Sequence, residues 1–237
     1  MDDIRLDPGS AVQRFTLHSV RGTMQRMPLP NRVTPFGELI AVASRGLFMG
    51  NRGGRFHRDD RTLGARRWAS RQWICCVTEF KQRHRAVWGN GYTELFFLDE
   101  PTAFAAGHRP CFECRRRDAV AFAANWAASR EEPAPPRAAE MDRVLHAERL
   151  DGRGKRRRSL PIDDLPDGAM LTMLREPPSV FAVWGKRLLP WAPDGYGDPR
   201  KRPRGIAVDV LTPPSILAVL AQGYRPQWHP SAEAPGG

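Results

Sequence analysis

Long hydrophobic runs are missing from this sequence, and cysteine is scarce. No apolar stretch approaches the roughly 18–20 residues that a membrane span needs, so a membrane protein is excluded. Four cysteines in 237 residues are too few for a disulfide scaffold. The opening run MDDIRLDPGS is acidic and polar, which does not fit a secretory signal. We therefore expect a cytoplasmic protein with no membrane partner.

Lysine is also scarce, although the chain is strongly basic. Lys and Arg number 37 against 26 for Asp and Glu, a net charge of +11, and only four of the 37 are lysines. A basic balance favours anionic partners, with nucleic acid first among them. An arginine-rich chain that is also rich in Ala, Gly and Pro is equally typical of a GC-rich genome. Both interpretations stay open at this stage.

The strongest local motif is Cys111-x-x-Cys114. Two cysteines at this spacing in a tight loop place both sulfurs on one tetrahedral metal, at about 2.3 Å each. The loop leads into a predicted helix, whose N-terminus lowers thiol pKa values, as do the arginines that follow Cys114. A redox pair normally follows a strand in a thioredoxin-like βαβ unit, which is not evident here. Metal binding is therefore favoured over a redox pair or two incidental thiols.

A tetrahedral zinc site needs two more ligands, and Cys75-Cys76 is the obvious source. This pair falls in the predicted strand WICCVTEF, where adjacent side chains point to opposite faces. One of the two cysteines can therefore face the loop easily, whereas both can do so only at a bulge or a strand end. The predicted zinc ligands are Cys75, Cys76, Cys111 and Cys114, with His57, His84 or His108 as the substitute for a missing one.

Residues 75–117 resemble the N-terminal metal-binding module of the Ada-type DNA-repair methyltransferases. The similarity lies in the cysteine pair, a predicted strand at 95–98, a short helix at 101–106 and the run GHRPCFECR at 107–115. The resemblance implies a four-thiolate zinc in a small α/β module that contacts the DNA backbone, with one thiolate accepting methyl groups from phosphotriesters. In that family the first two cysteines lie further apart. No active-site motif of the alkylguanine-transferase half occurs in this chain.

The same cysteines allow a rival interpretation as a zinc deaminase. Those enzymes carry H-x-E and P-C-x-x-C, with the Glu moving protons beside the metal. This chain has Pro110-Cys111-x-x-Cys114 and also His146-Ala147-Glu148, but in the reverse order. The second motif equally fits the exposed face of an ordinary helix. We predict that His146 lies away from the two cysteines, since sulfur-rich ligation is typical of a closed, structural zinc.

Arginines alternate with tryptophans in RRW at 66–68, RQW at 71–73 and RHRAVW at 83–88. Such a mixture suits nucleic acid, because Arg binds phosphates and aromatic rings stack on bases. The alternative is that the tryptophans belong to the core and the arginines to a solvated surface. The predicted nucleic-acid contacts are Arg66, Arg67, Arg71, Arg83, Arg85, Arg115 and Arg116.

Breaks rich in proline and glycine divide the chain into a small zinc-knuckle α/β module and a second unit, so that the predicted class is α+β. The predicted divisions are a weakly structured segment at 1–35, the Ada-like module at 36–130, a linker and basic loop at 131–159, an α+β unit at 160–230 and a tail at 231–237. We expect a zinc-stabilised nucleic-acid-binding protein related to DNA repair or regulation. The alternatives are a deaminase-like, zinc-dependent enzyme acting on nucleotides or nucleic acid, and a protein-interaction scaffold.

Overall fold

The structure is a computed structural model that describes residues 27–82, 86–173 and 179–233. Helices and sheets both occur in it, which confirms the predicted α+β class. Most of the predicted N-terminal segment, the end of the predicted tail, and residues 83–85 lie outside the described residues. None of the described helices has the length and apolar character needed to span a membrane.

The described part of the chain forms four α-helices and fifteen mostly short β-strands. The helices are α1 (Glu100–Ala105), α2 (Arg116–Ala128), α3 (Ala138–Arg149) and α4 (Pro214–Ala221). The strands are β1 (Arg32–Val33), β2 (Leu39–Ile40), β3 (Phe48–Arg52), β4 (Trp73–Val77), β5 (Leu95–Phe97), β6 (Arg109–Pro110), β7 (Leu150–Asp151), β8 (Gly154–Lys155), β9 (Arg158–Pro161), β10 (Met170–Met173), β11 (Ser179–Trp184), β12 (Arg187–Ala192), β13 (Gly195–Tyr196), β14 (Arg200–Lys201) and β15 (Ala207–Val210).

The first sheet carries the cysteine pair near one edge, with the strand order β2-β1-β5-β3-β4-β6. β3 and β4 are antiparallel, and Met49 lies opposite Cys76. Because side chains alternate along a strand, Met49 and Cys76 lie on one face while Cys75 lies on the other. Cys75 joins Phe97 and Ala103 in a buried cluster between the sheet and α1. The pleat of β4 therefore separates the two adjacent cysteines.

Helix α1 begins and ends where the sequence predicts a short helix. The Asp99 carboxylate accepts a hydrogen bond from the Thr102 N–H at 3.0 Å, and Pro101 sits in the first turn, where its missing N–H is not needed. Gly107 follows the helix with φ +86°, a left-handed conformation that favours glycine. A Cβ at this position would also lie 2.5 Å from the Arg149 side chain. Gly107 therefore allows α3 to approach α1 closely.

The segment predicted as a linker and basic loop, 131–159, contains α3. Met141 and Leu145 are fully buried in a cluster shared with Phe122 of α2 and Val219 of α4. Side chains four positions apart fall on one face of a helix, and this face is the one that is buried. The linker prediction is wrong over 138–149, because the proline-rich composition belongs to the residues just before the helix.

The C-terminal unit predicted at 160–230 is built on an antiparallel sheet in the order β13-β12-β11-β10-β15-β9, with β14 beside β12. Met170 and Leu189 of this sheet share a buried cluster with Leu98 and Ala105, which flank and belong to α1. A common cluster of this kind joins the two predicted units in one hydrophobic core.

Two adjacent buried carboxylates at the start of α1 bind the C-terminal unit. Asp99 accepts a hydrogen bond from the Tyr196 hydroxyl at 2.8 Å, and Glu100 accepts one from the Tyr224 hydroxyl at 2.9 Å. Glu100 also pairs with Arg115 at 2.7 Å, and neither side chain of this pair is more than 1% exposed. Burial raises the pKa of Glu100, while the Arg115 guanidinium acts in the opposite direction. Removing one member of such a pair leaves a buried charge without its partner.

We expect Glu100→Gln to lower the free energy of unfolding by roughly 3 kcal/mol, because among the described residues Asp118 is then the one carboxylate paired with the buried Arg115. Chemical denaturation of the purified variant measures the change. Asp151→Asn is the control, because Asp151 pairs with Arg156 at 3.8 Å in an exposed position and should cost less than about 1 kcal/mol. Equally small losses in both variants would contradict the importance given to the buried pair.

Candidate metal centre

Three cysteine sulfurs converge beside β4. The Sγ atoms of Cys76, Cys111 and Cys114 lie within 4.8 Å of one another, which is the one metal-capable group of His, Cys, Asp or Glu found in the described residues. Cys76 belongs to β4, whereas the other two belong to the loop between β6 and α2. β6 runs parallel to β4, and the Cys111 N–H donates to the Cys75 carbonyl oxygen at 3.0 Å. This strand pairing brings the loop to the Cys76 side chain.

Backbone N–H groups point at the sulfurs of the loop. The Glu113 N–H donates to Cys111 Sγ at 3.4 Å, and the Cys114 N–H donates to the same sulfur. The Val77 N–H donates to Cys114 Sγ. The Arg115 N–H donates to the Cys111 carbonyl oxygen at 3.0 Å, which closes the loop just before α2 begins. N–H donors stabilise negative charge on sulfur, so this loop favours thiolates.

The hydrogen bonds make the three thiols unequal. Bonds from the Cys114 and Cys76 thiols, together with the backbone N–H groups, hold the pKa of Cys111 well below its ordinary value. Donation to Cys111 and Cys114 raises the pKa of Cys76 far above its ordinary value, and burial adds to this shift. The close approach of the three thiols therefore favours a single thiolate, at Cys111. A bound divalent cation would allow all three thiols to lose their protons, because its positive charge stabilises thiolate ligands.

The donor set fits a soft metal ion such as zinc. Sulfur ligands select zinc, copper(I) or iron–sulfur clusters over Mg²⁺ and Ca²⁺. Zinc takes four tetrahedral ligands with sulfur at about 2.3 Å. The described residues bring three sulfurs together at this place. One coordination position is therefore left for a further ligand.

A cavity of about 380 Å³ borders all three cysteines. Its wall includes apolar side chains such as Met49 and several polar ones, among them Asn51 and Glu94. Strand alternation explains the grouping, because Met49 and Asn51 lie on the face of the sheet that carries Cys76. Glu94 is 4% exposed, and its Oε2 accepts a hydrogen bond from the Trp88 N–H at 2.8 Å. The metal-capable group and a buried carboxylate therefore share one cavity.

Cys75, one of the four predicted ligands, is separate from this group. Its sulfur lies on the opposite face of the sheet, where the Arg115 guanidinium donates a hydrogen bond to it at 3.4 Å. The side chain is fully buried, and burial raises the pKa of the thiol. On a regular strand only one of the two adjacent cysteines can face the loop, and that cysteine is Cys76.

The histidines predicted as substitute ligands have other partners. His57 stacks on Trp88 with 5.3 Å between the ring centroids, and its Nδ1 is 2.8 Å from the Thr93 hydroxyl oxygen. His108 is fully buried, and Arg52 Nε donates to its Nε2 at 3.4 Å. Burial, followed by the neighbouring arginine charges, holds the pKa of His108 well below its ordinary value. Neither imidazole belongs to the cysteine group, and residue 84 lies outside the described residues.

The deaminase interpretation requires His146 beside the cysteines, and the fold places it elsewhere. The Arg149 guanidinium donates to His146 Nδ1 at 2.8 Å, and the imidazole contacts the Trp68 ring edge-on. The Glu148 carboxylate accepts hydrogen bonds from the Ser215 N–H and hydroxyl, at 3.0 and 2.6 Å. Among the described residues His146 does not join the metal-capable group, as predicted.

The predicted nucleic-acid arginines divide between the surface and the core. Exposed side chains are those of Arg66, Arg67, Arg71 and Arg116, while Arg83 and Arg85 lie outside the described residues. Arg115 is only 4% exposed, because its guanidinium pairs with Glu100 and Asp118. The predicted phosphate contact at Arg115 is therefore corrected to a structural ion pair.

Asn51 and Glu94 are cavity residues that the sequence analysis missed. Both lie outside the loop that carries Cys111 and Cys114. They reach the cavity because β3 pairs with both β4 and β5. The alternation in FMGNR, which places Met49 and Asn51 on one face, is a usable signal for the first of them. No local pattern marks Glu94.

Comparisons with protein-family models, with curated proteins and with solved structures gave no match in any of the three. The similarity of residues 75–117 to the Ada-type module therefore stays a prediction. The geometry alone defines the class of site, which is a set of three cysteines able to hold a metal ion beside a cavity.

We expect Cys76→Ser, Cys111→Ser and Cys114→Ser each to lose bound zinc, because each removes one of the three converging ligands. Cys75→Ser is the matched control, because it makes the same substitution at a buried cysteine on the other face of β4. This variant should retain about one zinc per chain. Elemental analysis of the purified variants measures both. Zinc loss from a folded Cys75→Ser protein, with Cys76→Ser unaffected, would reverse the assignment.

Proposed function

We propose that this chain is a zinc–thiolate protein that binds nucleic acid through phosphate contacts. The convergence of Cys76, Cys111 and Cys114 within 4.8 Å carries the metal part of the proposal. The net charge of +11 supports the nucleic-acid part, because a strongly basic protein attracts polyanions over a distance set by the salt concentration.

Exposed arginines lie on both sides of β4 in the sequence. Arg66, Arg67 and Arg71 flank the partly exposed Trp68 in the loop that precedes the strand. Arg116 is exposed in the first turn of α2, directly after the cysteine loop. Exposed guanidinium groups bind phosphates without the cost of desolvating a buried charge. Their placement supports contacts to the backbone of a nucleic acid, which position a protein without reading its sequence.

We expect the double variant Arg66→Glu, Arg67→Glu to weaken binding to all nucleic-acid sequences about equally, because phosphate contacts carry no sequence information. Affinity of the unmodified protein should fall by about tenfold or more between 50 and 200 mM salt, through counterion release. Fluorescence anisotropy of a labelled oligonucleotide measures both effects. The control is Lys186→Glu, Arg187→Glu, which makes the same charge change at two exposed residues where β11 turns into β12.

Two results would count against nucleic-acid binding at this loop. One is binding that does not depend on salt, and the other is an equal loss of affinity in the two double variants. No binding at low salt would instead favour the protein-interaction scaffold.

A second candidate function is a zinc-dependent enzyme acting on nucleotides or nucleic acid. The three-ligand set favours it, because catalytic zinc sites have three protein ligands and an open position, whereas structural sites are closed by four. Zinc bound there supplies Lewis acidity. The buried Glu94 carboxylate borders the same cavity and is suited to holding or moving a proton.

Replacement of zinc by Co²⁺ tests whether the fourth position is open. If it is, addition of azide should change the visible absorption spectrum of the Co²⁺ protein, because the anion displaces the water molecule that occupies an open position. Cys75→Ser is the control and should show the same change. A spectrum that does not respond to azide would indicate a closed site and a structural metal.

A further inference from the structure

A second cleft, of about 760 Å³, opens on the face of the first sheet opposite to the metal cavity. Arg52 and Trp73 line this cleft, and they alternate along their strands with Asn51 and Ile74, which line the metal cavity. We name it the basic cleft because six cations line it: Arg52, Arg67, Arg149, Arg153, Lys155 and Arg157. The one carboxylate in its described lining is the exposed Glu38.

The inner cations of the basic cleft form no direct ion pairs among the described residues, although the Asp142 charge acts on Arg149 to raise its pKa. Arg52 and Arg149 are each 1% exposed. Within the described ranges, neither of them nor Lys155 forms an ion pair with a carboxylate. Their acceptors are neutral groups: Arg52 donates to the Gly37 carbonyl oxygen at 2.8 Å, Arg149 donates to the Gly107 carbonyl oxygen at 3.0 Å, and Lys155 donates to a third backbone carbonyl.

Two of these cations share one aromatic ring. The guanidinium groups of Arg52 and Arg149 lie 4.0 and 3.8 Å from the centroid of the Trp73 ring. Arg149 Nε has no hydrogen-bond partner among the described residues. Burial, followed by repulsion from neighbouring cations, lowers the pKa of Arg149 to about 8 and the pKa of Lys155 to about 7. The fold therefore holds like charges together where they destabilise one another.

Other buried arginines in the described residues have carboxylate partners. Arg109 pairs with Asp142 at 2.8 Å, and Arg115 pairs with Glu100 at 2.7 Å. The basic cleft differs from these sites in having room for a ligand next to its unpaired charges. Uncompensated charge in a cleft is typical of a functional site whose counter-charge arrives with the ligand.

We propose that the basic cleft binds the phosphate of a nucleotide unit, either a free nucleotide or one within a nucleic acid. Guanidinium groups match phosphate oxygens in geometry and charge. Trp68 also lines the cleft and is partly exposed, and bases stack on aromatic side chains of this kind. A volume of about 760 Å³ suits a ligand of nucleotide size. The cleft does not depend on the metal centre, from which the sheet separates it.

Calorimetric titration with adenosine 5′-monophosphate, and with adenosine as the matched ligand without phosphate, tests the proposal. We expect the nucleotide to bind at least about tenfold more tightly than the nucleoside, because charge-assisted hydrogen bonds to phosphate are lost in the latter. Equal affinity for the two, or no binding of either, would overturn the proposal. The titration has no zinc-dependent readout, so its failure is distinguishable from failure of the proposed zinc function.

An oligonucleotide competitor distinguishes the two sources of the phosphate. Displacement of the mononucleotide by a short single-stranded oligonucleotide would assign the cleft to nucleic acid. Retention of the mononucleotide at saturating oligonucleotide would assign it to free nucleotides. Both results support phosphate binding, whereas displacement of the mononucleotide by sulfate at the same concentration would reduce the site to a general anion site and overturn the nucleotide assignment.

Lys155→Met gives a signature that a merely structural lysine would not show. It should raise the melting temperature without ligand, because it removes an uncompensated charge, and weaken nucleotide binding by about tenfold or more. Lys186→Met, at an exposed position outside the cleft, is the control and should change neither quantity. If Lys155→Met does not fold, Arg153→Ser at the exposed rim replaces it as the test of affinity. Unchanged nucleotide affinity in the folded variants would overturn the proposal.

Discussion

The buried ion pair between Glu100 and Arg115 fixes the cysteine loop, which carries Cys111 and Cys114, to helix α1. Arg115 directly follows Cys114, and its guanidinium also donates to the sulfur of Cys75 on the back of β4. Glu100 begins α1 and accepts a hydrogen bond from the hydroxyl of Tyr224, 124 positions later in the chain. One pair of opposite charges therefore joins the end of the cysteine loop, the core face of the sheet and the C-terminal unit. The positions of the sulfurs therefore depend on contacts between residues that are remote in sequence.

Local patterns predict those parts of the fold and the site that depend on near neighbours. They include the Cys111-x-x-Cys114 loop, the limits of α1, and the alternation that allows one cysteine of an adjacent pair to face the loop. Burial of Arg115 is not predictable in this way, because the Glu100 carboxylate that neutralises it belongs to another element. Glu94 reaches the cavity through the strand order of the sheet, which no single segment specifies. Composition also misled, because the segment predicted as a linker and basic loop, 131–159, contains Arg149, which is only 1% exposed.

The two faces of the first sheet carry two different chemistries. Cys76 and its sulfur partners lie on one face, while Trp73 and its two stacked arginines lie on the other. Cys76 and Trp73 come from the same short strand, β4, and face opposite sides because one position is even and the other odd. Register is therefore specified twice, because a slip of one residue would move Cys76 to the face of the basic cleft and Trp73 to the face of the metal cavity at the same time.

The parallel pairing of β6 with β4 brings together sulfurs that are far apart in the sequence. Parallel neighbours need a long crossover, and here it runs through β5 and α1 before the chain returns. Contacts of this kind form slowly, since the loop between the strands must close first. The two sulfurs of the cysteine loop are close in sequence and can meet a metal ion in the unfolded chain, whereas Cys76 joins them only when the sheet is complete. A metal ion held by all three sulfurs would therefore report that β4 and β6 are paired, whereas one held by the cysteine loop alone would not.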